Sequence, residues 1–246
     1  MMFRQQEVLE NARQSMADSE MVERARAMFR RNSTIYGILG IVIAVATGLS
    51  VGYATEQVAS IFLVPLGLMT IWGVVVWIKS PTVPTNCVSF IEVNGIPLKP
   101  ISAGFTPCLW PVTRGSKTVV PLAPQMVSAL INIPNSILYR DDIPSTRLNS
   151  QVKITLATSV SDPFRYAYGL TSMEYLKSCM GGYLGDFLHR TLEGSKGVDG
   201  IRLLSTKSNQ MVLWDIKNSE VGQQLLGVLR GLGLELEETQ MLSVLS

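Results

Sequence analysis

Two long stretches without a single charge constrain this chain more than anything else in it. Residues 35–53 read IYGILGIVIAVATGLSVGY and residues 59–78 read ASIFLVPLGLMTIWGVVVWI, separated only by Ala54-Thr55-Glu56-Gln57-Val58. Each is about 20 residues, or roughly 30 Å of helix, which is the hydrocarbon thickness of a bilayer. The break between them can reverse the chain but cannot hold a domain, so the expectation is a hairpin of two antiparallel transmembrane helices. A cleaved signal peptide does not fit, because mostly polar residues fill positions 1–34. The soluble alternative is a helical hairpin buried in a globular core, where uncharged runs of this length are rare. Composition points the same way: 16% of the 246 residues are charged, against about 25% in soluble domains.

Charge asymmetry sets the expected orientation. Arg24, Arg26, Arg30 and Arg31 precede the first span and Lys79 follows the second, whereas the turn holds only Glu56. Cationic flanks stay on the cytoplasmic side, so both termini are expected in the cytoplasm of a multi-pass protein of the cell's inner membrane. The same five cations are candidates for juxtamembrane lipid contact, at about 1 kcal/mol each with anionic headgroups. Tyr36, Tyr53 and Trp77 sit where amphipathic rings favour the interface. Pro65 and Gly67 are expected to bend the second helix, or to let the pair enter and leave one leaflet without crossing. Gly40, Ala44, Gly48 and Gly52 recur every fourth residue, a row along which another backbone can approach closely. That helix-packing seam would serve either a second copy or the chain's own second span.

Residues 1–34 read as a helical arm of mixed charge with a loose apolar stripe of Phe3, Val8, Ala12, Met16, Val22, Ala25 and Phe29. Cys87, Cys108 and Cys179 lack C-x-x-C spacing, and an odd number in dissimilar contexts fits a reducing compartment. A net charge of +2 gives no basic groove for nucleic acid.

Residues 79–86 form a proline-rich linker, and strand signals begin at once beyond it. VSFIEV at 88–93, Asn94-Gly95 and IPLKPI predict a hairpin with a type I′ turn. Further strands are expected at KTVVPL from Lys117, at MVSALINI from Met126 and at QVKITLATSV from Gln151 to Val160, the last with Val152, Ile154, Leu156 and Val160 on one face. Asp162-Pro163 predicts a capped helix start, and Thr171 with Glu174 a capping box. Leu176, Met180, Tyr183, Leu184, Phe187 and Leu188 follow at helical spacing. A glycine-rich loop at 194–200, a short strand around MVLW, a helix from Ser219 to Arg230 and a closing strand LELEETQMLSV complete an α+β domain over 87–246.

Short strings in this order resemble the SPFH or band 7 superfamily of stomatins, prohibitins and flotillins. The early signature is similar to Gly104-Phe105-Thr106-Pro107-Cys108-Leu109-Trp110-Pro111, and the middle one to Asp141-Asp142-Ile143-Pro144, the strand from Gln151 and Asp162-Pro163-Phe164-Arg165-Tyr166. The closing one is similar to Gly233-Leu234-Glu235-Leu236-Glu237-Glu238. Two features depart from the pattern: the segment 194–214 interrupts a more continuous helical region, and the family continues into a long helix or coiled coil beyond the position of Ser246. The resemblance implies a membrane hairpin followed by antiparallel strands packed with helices. It also implies a non-enzymatic scaffold in which many copies form a ring-like or cage-like homo-oligomer around a membrane patch or a client membrane protein. The other expectation carried forward is an inner-membrane structural subunit of a secretion or conjugation apparatus.

Phe105, Leu109 and Trp110 lie between glycine and proline, ahead of Arg114 and Lys117. Such a loop suits apolar side chains that dip into the interface while cations meet phosphates, or ordinary core residues. Cys87 or Cys108 could carry an acyl chain. Asp141, Asp142 and Asp162 are explained by turn and cap positions. RGSKT and EGSKG do not supply G-x-x-x-x-G-K-[ST], and His189 has neither a nucleophile elbow nor metal ligands at a suitable offset. No cofactor, metal or catalytic residue is expected.

Overall fold

The computed structural model describes residues 2–55, 59–133, 150–169, 173–193 and 209–245. They form two compact units, Met1–Pro121 and Leu122–Ser246. The division falls inside the stretch expected to be one domain from residue 87, and each unit combines helices with antiparallel sheet.

In the first unit, helix α1 (Met2–Ala17) and helix α2 (Glu20–Thr55) are separated by a break at Asp18-Ser19. The Ser19 carbonyl accepts from the Val22 and Glu23 amides, and Glu20 and Glu23 lie in the first turn of α2, where carboxylates meet the positive end of the helix dipole. Helix α2 then runs without interruption from the cationic residues through the first apolar stretch, about 54 Å at 1.5 Å per residue. Helix α3 (Ser60–Lys79) carries the second stretch, with Pro65 inside it.

Strand β1 (Thr82–Val83) lies within the expected linker and pairs with β4 (Gly104–Phe105). Strands β2 (Cys87–Val93) and β3 (Ile96–Ile101) form the predicted hairpin. Asn94 at φ 52° and Gly95 at φ 83° supply the two positive φ angles of a type I′ turn, which match the right-handed twist of the strands. Short strands β5 (Arg114–Gly115) and β6 (Val120–Pro121) add to β2. The strand expected from Lys117 is thus only two residues long, because Lys117 to Val119 stand exposed ahead of it and Pro121 lacks an amide donor.

Five of the arm's stripe residues, Val8, Ala12, Met16, Val22 and Ala25, are buried, and α1 and α2 both pack on β3. The arm is therefore part of this unit's core rather than a separate solvated element. The second core layer joins Val83, Ile91, Ile101 and Cys108. Strand β2 is buried along six of its seven residues, as expected of a strand covered on both faces.

The second unit is a three-stranded antiparallel sheet, with β8 (Ser150–Val160) between β7 (Gln125–Ile133) and β9 (Leu234–Leu245). Asp162 caps helix α4 (Pro163–Gly169): its Oδ1 accepts from the Phe164 amide at 3.0 Å and the Arg165 amide at 3.3 Å. Helix α5 (Met173–Glu193) buries Leu176, Met180, Leu184 and Leu188 and packs on β7, whose Val127, Ala129 and Ile131 are buried. The MVLW segment lies in helix α6 (Asn209–Asn218) and not in the expected strand. A four-residue apolar run fits either state. Among the described side chains of this helix, Ile216 at its far end is deeply buried while Met211 and Trp214 are exposed. Helix α7 (Glu220–Gly231) starts where expected, with Ser219 Oγ accepting from the Gly222 amide at 2.9 Å. Gly233, at φ 74°, turns the chain into β9, and its carbonyl accepts from the Ser161 and Asp162 amides. The Asp141–Pro144 string, Thr171 of the capping box, the loop 194–200 and Glu56 to Val58 lie outside the described residues.

Candidate membrane-interface site

Helices α2 and α3 are both long and apolar enough to cross a membrane, and of their apolar windows 11% and 0% respectively are buried. A core hairpin of a soluble protein would have these side chains covered. Here Ile38, Ile41, Phe62, Leu63, Met69, Ile71 and Trp77 face outward, the arrangement that water disfavours by about 1.5–3 kcal/mol per large apolar side chain.

The loop 104–113 is tied to the C-terminal turns of α3. Ser80 Oγ accepts from the Cys108 amide at 2.9 Å while donating to the Val76 carbonyl at 2.6 Å. The Thr106 amide donates to the Pro81 carbonyl. Farther along the helix, Trp72 Nε1 donates to the Trp110 carbonyl at 3.1 Å, and the Phe105 ring meets Trp77 edge to face with centroids 6.4 Å apart. Trp72 lies seven residues before Lys79, so the loop tip reaches about 10 Å along the apolar helix.

Phe105, Leu109 and Trp110 are 50%, 42% and 39% exposed, while Cys108 and Val112 of the same loop are buried. The loop therefore divides its side chains: one set anchors it to the unit's core, and the other stands beside the exposed face of α3. Its fold is fixed by a further bond, the Thr113 Oγ1 accepting from the Leu109 amide at 2.8 Å. Arg114 begins β5 and pairs with Glu92 at 3.8 Å; the Glu92 side chain is 11% exposed and the arginine mostly in water. Together with Asn94, Trp110, Pro111 and Val112 they line a groove of about 300 Å³. Lys117 is exposed beyond β5.

The row of small residues divides in two. A Cβ on Gly48 would sit 2.8 Å from the Ile61 carbonyl oxygen and 3.2 Å from Pro65 Cγ, so this position packs on the chain's own α3. Pro65 has no amide to give to that carbonyl. Gly52 is buried and Ala44 half-buried, but Gly40 has nothing within 4 Å of a Cβ. Arg24, Arg26, Arg30, Arg31 and Lys79 are exposed, and Arg24 pairs with Glu20 at 3.6 Å.

Sequence reasoning did not pick out Trp72, Ser80 or Glu92. Trp72 was legible only as one more apolar residue of the span. Ser80 carries a local signal, since a serine just past a helix can bond back to its last turn. Glu92 is an acidic residue inside a strand of apolar neighbours, a pattern that marks a paired carboxylate.

Elsewhere, burial pushes the Cys108 thiol up, against the opposing pull of Lys99 and the Thr113 hydroxyl. Among the described residues no group of His, Cys, Asp and Glu could hold a metal ion; His189 is half-buried on α5. No protein-family model and no curated protein matches the chain.

Proposed function

We propose that this chain is an integral membrane scaffold without catalytic activity, anchored by a helical hairpin and assembling with copies of itself into a ring-like or cage-like array. One observation carries the membrane part: two helices with long uncharged apolar stretches whose outward side chains are left exposed among the described residues, with an aromatic loop fastened beside the second. Bilayer insertion removes those side chains from water, and the Trp77–Phe105 pair next to Lys79 suits the headgroup level, where indoles favour one dry and one wet end. Arg24, Arg26, Arg30, Arg31 and Lys79 at the opposite ends from the turn support an orientation with both termini cytoplasmic.

The assembly part rests on the resemblance to the SPFH superfamily and on parts such an array needs. These are an anchor, sheet-bearing units and an open small-residue position at Gly40. Light scattering and negative-stain imaging of the protein expressed alone and extracted into nanodiscs test it. A discrete assembly of many subunits with ring or arc outlines supports the scaffold. A monomer or dimer overturns it in favour of a subunit that docks a larger secretion or conjugation complex.

A further inference from the structure

Resting on the membrane reading, we propose that the loop 104–113 enters the hydrocarbon of one leaflet only, and that the chain thereby concentrates where the cytoplasmic face of the bilayer is convex. The partner surface is a lipid leaflet whose stretched head-group layer leaves apolar gaps.

The backbone of the loop carries the argument. A loop in water can leave its amides to the solvent, whereas one in hydrocarbon must satisfy them within the protein. Here the Thr106 amide donates to the Pro81 carbonyl, the Cys108 amide to Ser80 Oγ and the Leu109 amide to Thr113 Oγ1. The Trp110 amide donates to the Cys108 carbonyl at 2.8 Å and the Thr113 amide to the Leu109 carbonyl at 3.0 Å. Pro107 and Pro111 have no amide, and the remaining residue of the stretch, Val112, is buried. At the tip, the Trp110 carbonyl and the Trp72 indole N–H satisfy each other. Residues 104–113 hold no charged side chain, and none from 93 to 140 is acidic. Yet Phe105, Leu109 and Trp110 stand exposed. A paired backbone beneath bare apolar side chains is stabilised by lipid and disfavoured by water.

Depth and asymmetry follow from the attachment. The base of the loop lies at the level of Trp77 and Ser80, and its tip is held at Trp72. The tip is thus about 10 Å along the helix from Lys79, within a leaflet whose hydrocarbon is about 15 Å deep. At the other end of the hairpin the chain passes from one span to the next in the five residues 54–58. The loop therefore widens the protein in the cytoplasmic leaflet alone. Insertion into one leaflet spreads its head groups, and a convex face has already spread them, so binding of this kind depends on curvature.

The test uses the fluorescently labelled full chain in vesicles of graded diameter, made of phosphatidylcholine with phosphatidylglycerol, and reads protein per unit area vesicle by vesicle. A membrane-impermeant quencher separates copies whose sheet-bearing units face outward from those facing inward. Outward-facing copies should rise several-fold in density from the largest vesicles to the smallest, and inward-facing copies should fall. Leu109→Ser combined with Trp110→Ser, which keeps the backbone bonds, should remove most of that dependence while the spans still insert. Equal density at every diameter, or the same trend in both orientations, overturns the proposal. An undiminished rise in the double variant overturns it as well and assigns the curvature preference to the hairpin. A rise that appears only at high protein density would give the loop to a contact between copies, against the proposal. If the double variant does not fold, the contrast between the two orientations of the wild type decides. A chain that inserts but ignores curvature overturns this inference alone; one that does not insert overturns the membrane reading beneath it.

Discussion

Single residues at the loop carry opposite loads although they are neighbours in sequence. Cys108 is buried and its thiol is held above the ordinary range by burial, so it should stay protonated at neutral pH, where a free cysteine already exposes a few per cent thiolate. Alkylation of Cys108 in the native protein is expected to be slow, with its pH–rate profile displaced toward higher pH and the displacement lost on unfolding; peptide mapping after iodoacetamide treatment reads this out. The sign of the linkage is that of a raised folded-state pKa: any stability Cys108 contributes is complete below the unfolded-chain value of about 8.5 and is lost as pH rises through the folded one. The same burial argues against its acylation. Two residues on, Trp110 is exposed, and Trp110→Ser should move the thermal midpoint little while reducing the quenching of tryptophan fluorescence by brominated lipids. A large drop in stability would instead make Trp110 a core residue. Which of Phe105, Cys108, Leu109 and Trp110 point inward could not be read from an irregular loop, because no period of two or 3.6 orders it; it follows from the Ser80 and Thr113 bonds that hold the backbone.

At the level of elements, legibility tracked periodicity and turn chemistry. The β2–β3 hairpin was readable because Asn-Gly permits few turns, and the α4 and α7 starts because Asp162 and Ser219 are strong caps. The MVLW helix was misread because four apolar residues carry no period. The arm's burial was invisible because a weak stripe becomes core only when a partner strand, here β3, is known. The helix pair makes a sharper prediction. Gly48 faces the Ile61 carbonyl, which cannot move aside as a flexible side chain could, so Gly48→Ile should force α2 and α3 apart. Gly40 faces open space, so Gly40→Ile should leave the pair intact. Disulfide trapping between cysteines placed on the two helices separates these outcomes. If Gly40→Ile leaves trapping unchanged but lowers the assembly mass, Gly40 lies in a contact between copies; no change in mass would confine the whole row to intrachain packing. Loss of the Asp162 cap in Asp162→Ala should cost about 1 kcal/mol, read as a lower thermal midpoint.

For the molecule as a whole, everything proposed depends on where the turn between α2 and α3 ends up. If both helices cross, Glu56 emerges on the face opposite Arg24, Arg26, Arg30, Arg31 and Lys79. If the pair is re-entrant, with Pro65 bending α3 back, Glu56 stays in the bilayer. The helix lengths favour crossing: the 20 residues of α3 make about 30 Å, which fills the hydrocarbon layer without requiring a bend. The loop stops beside Trp72, and the first half of α3 packs on α2 at Gly48, as the two arms of a spanning hairpin do. Glu56→Cys in a background with Cys87, Cys108 and Cys179 replaced should therefore react with a membrane-impermeant maleimide only from the far side of sealed vesicles, while a cysteine at Arg31 reacts only from the near side. Protection of Glu56→Cys from both sides would make the hairpin re-entrant. That outcome would keep the loop at the headgroup level, because Trp77, Phe105 and Lys79 are near the chain's point of entry in either arrangement, but it would confine the anchor to one leaflet.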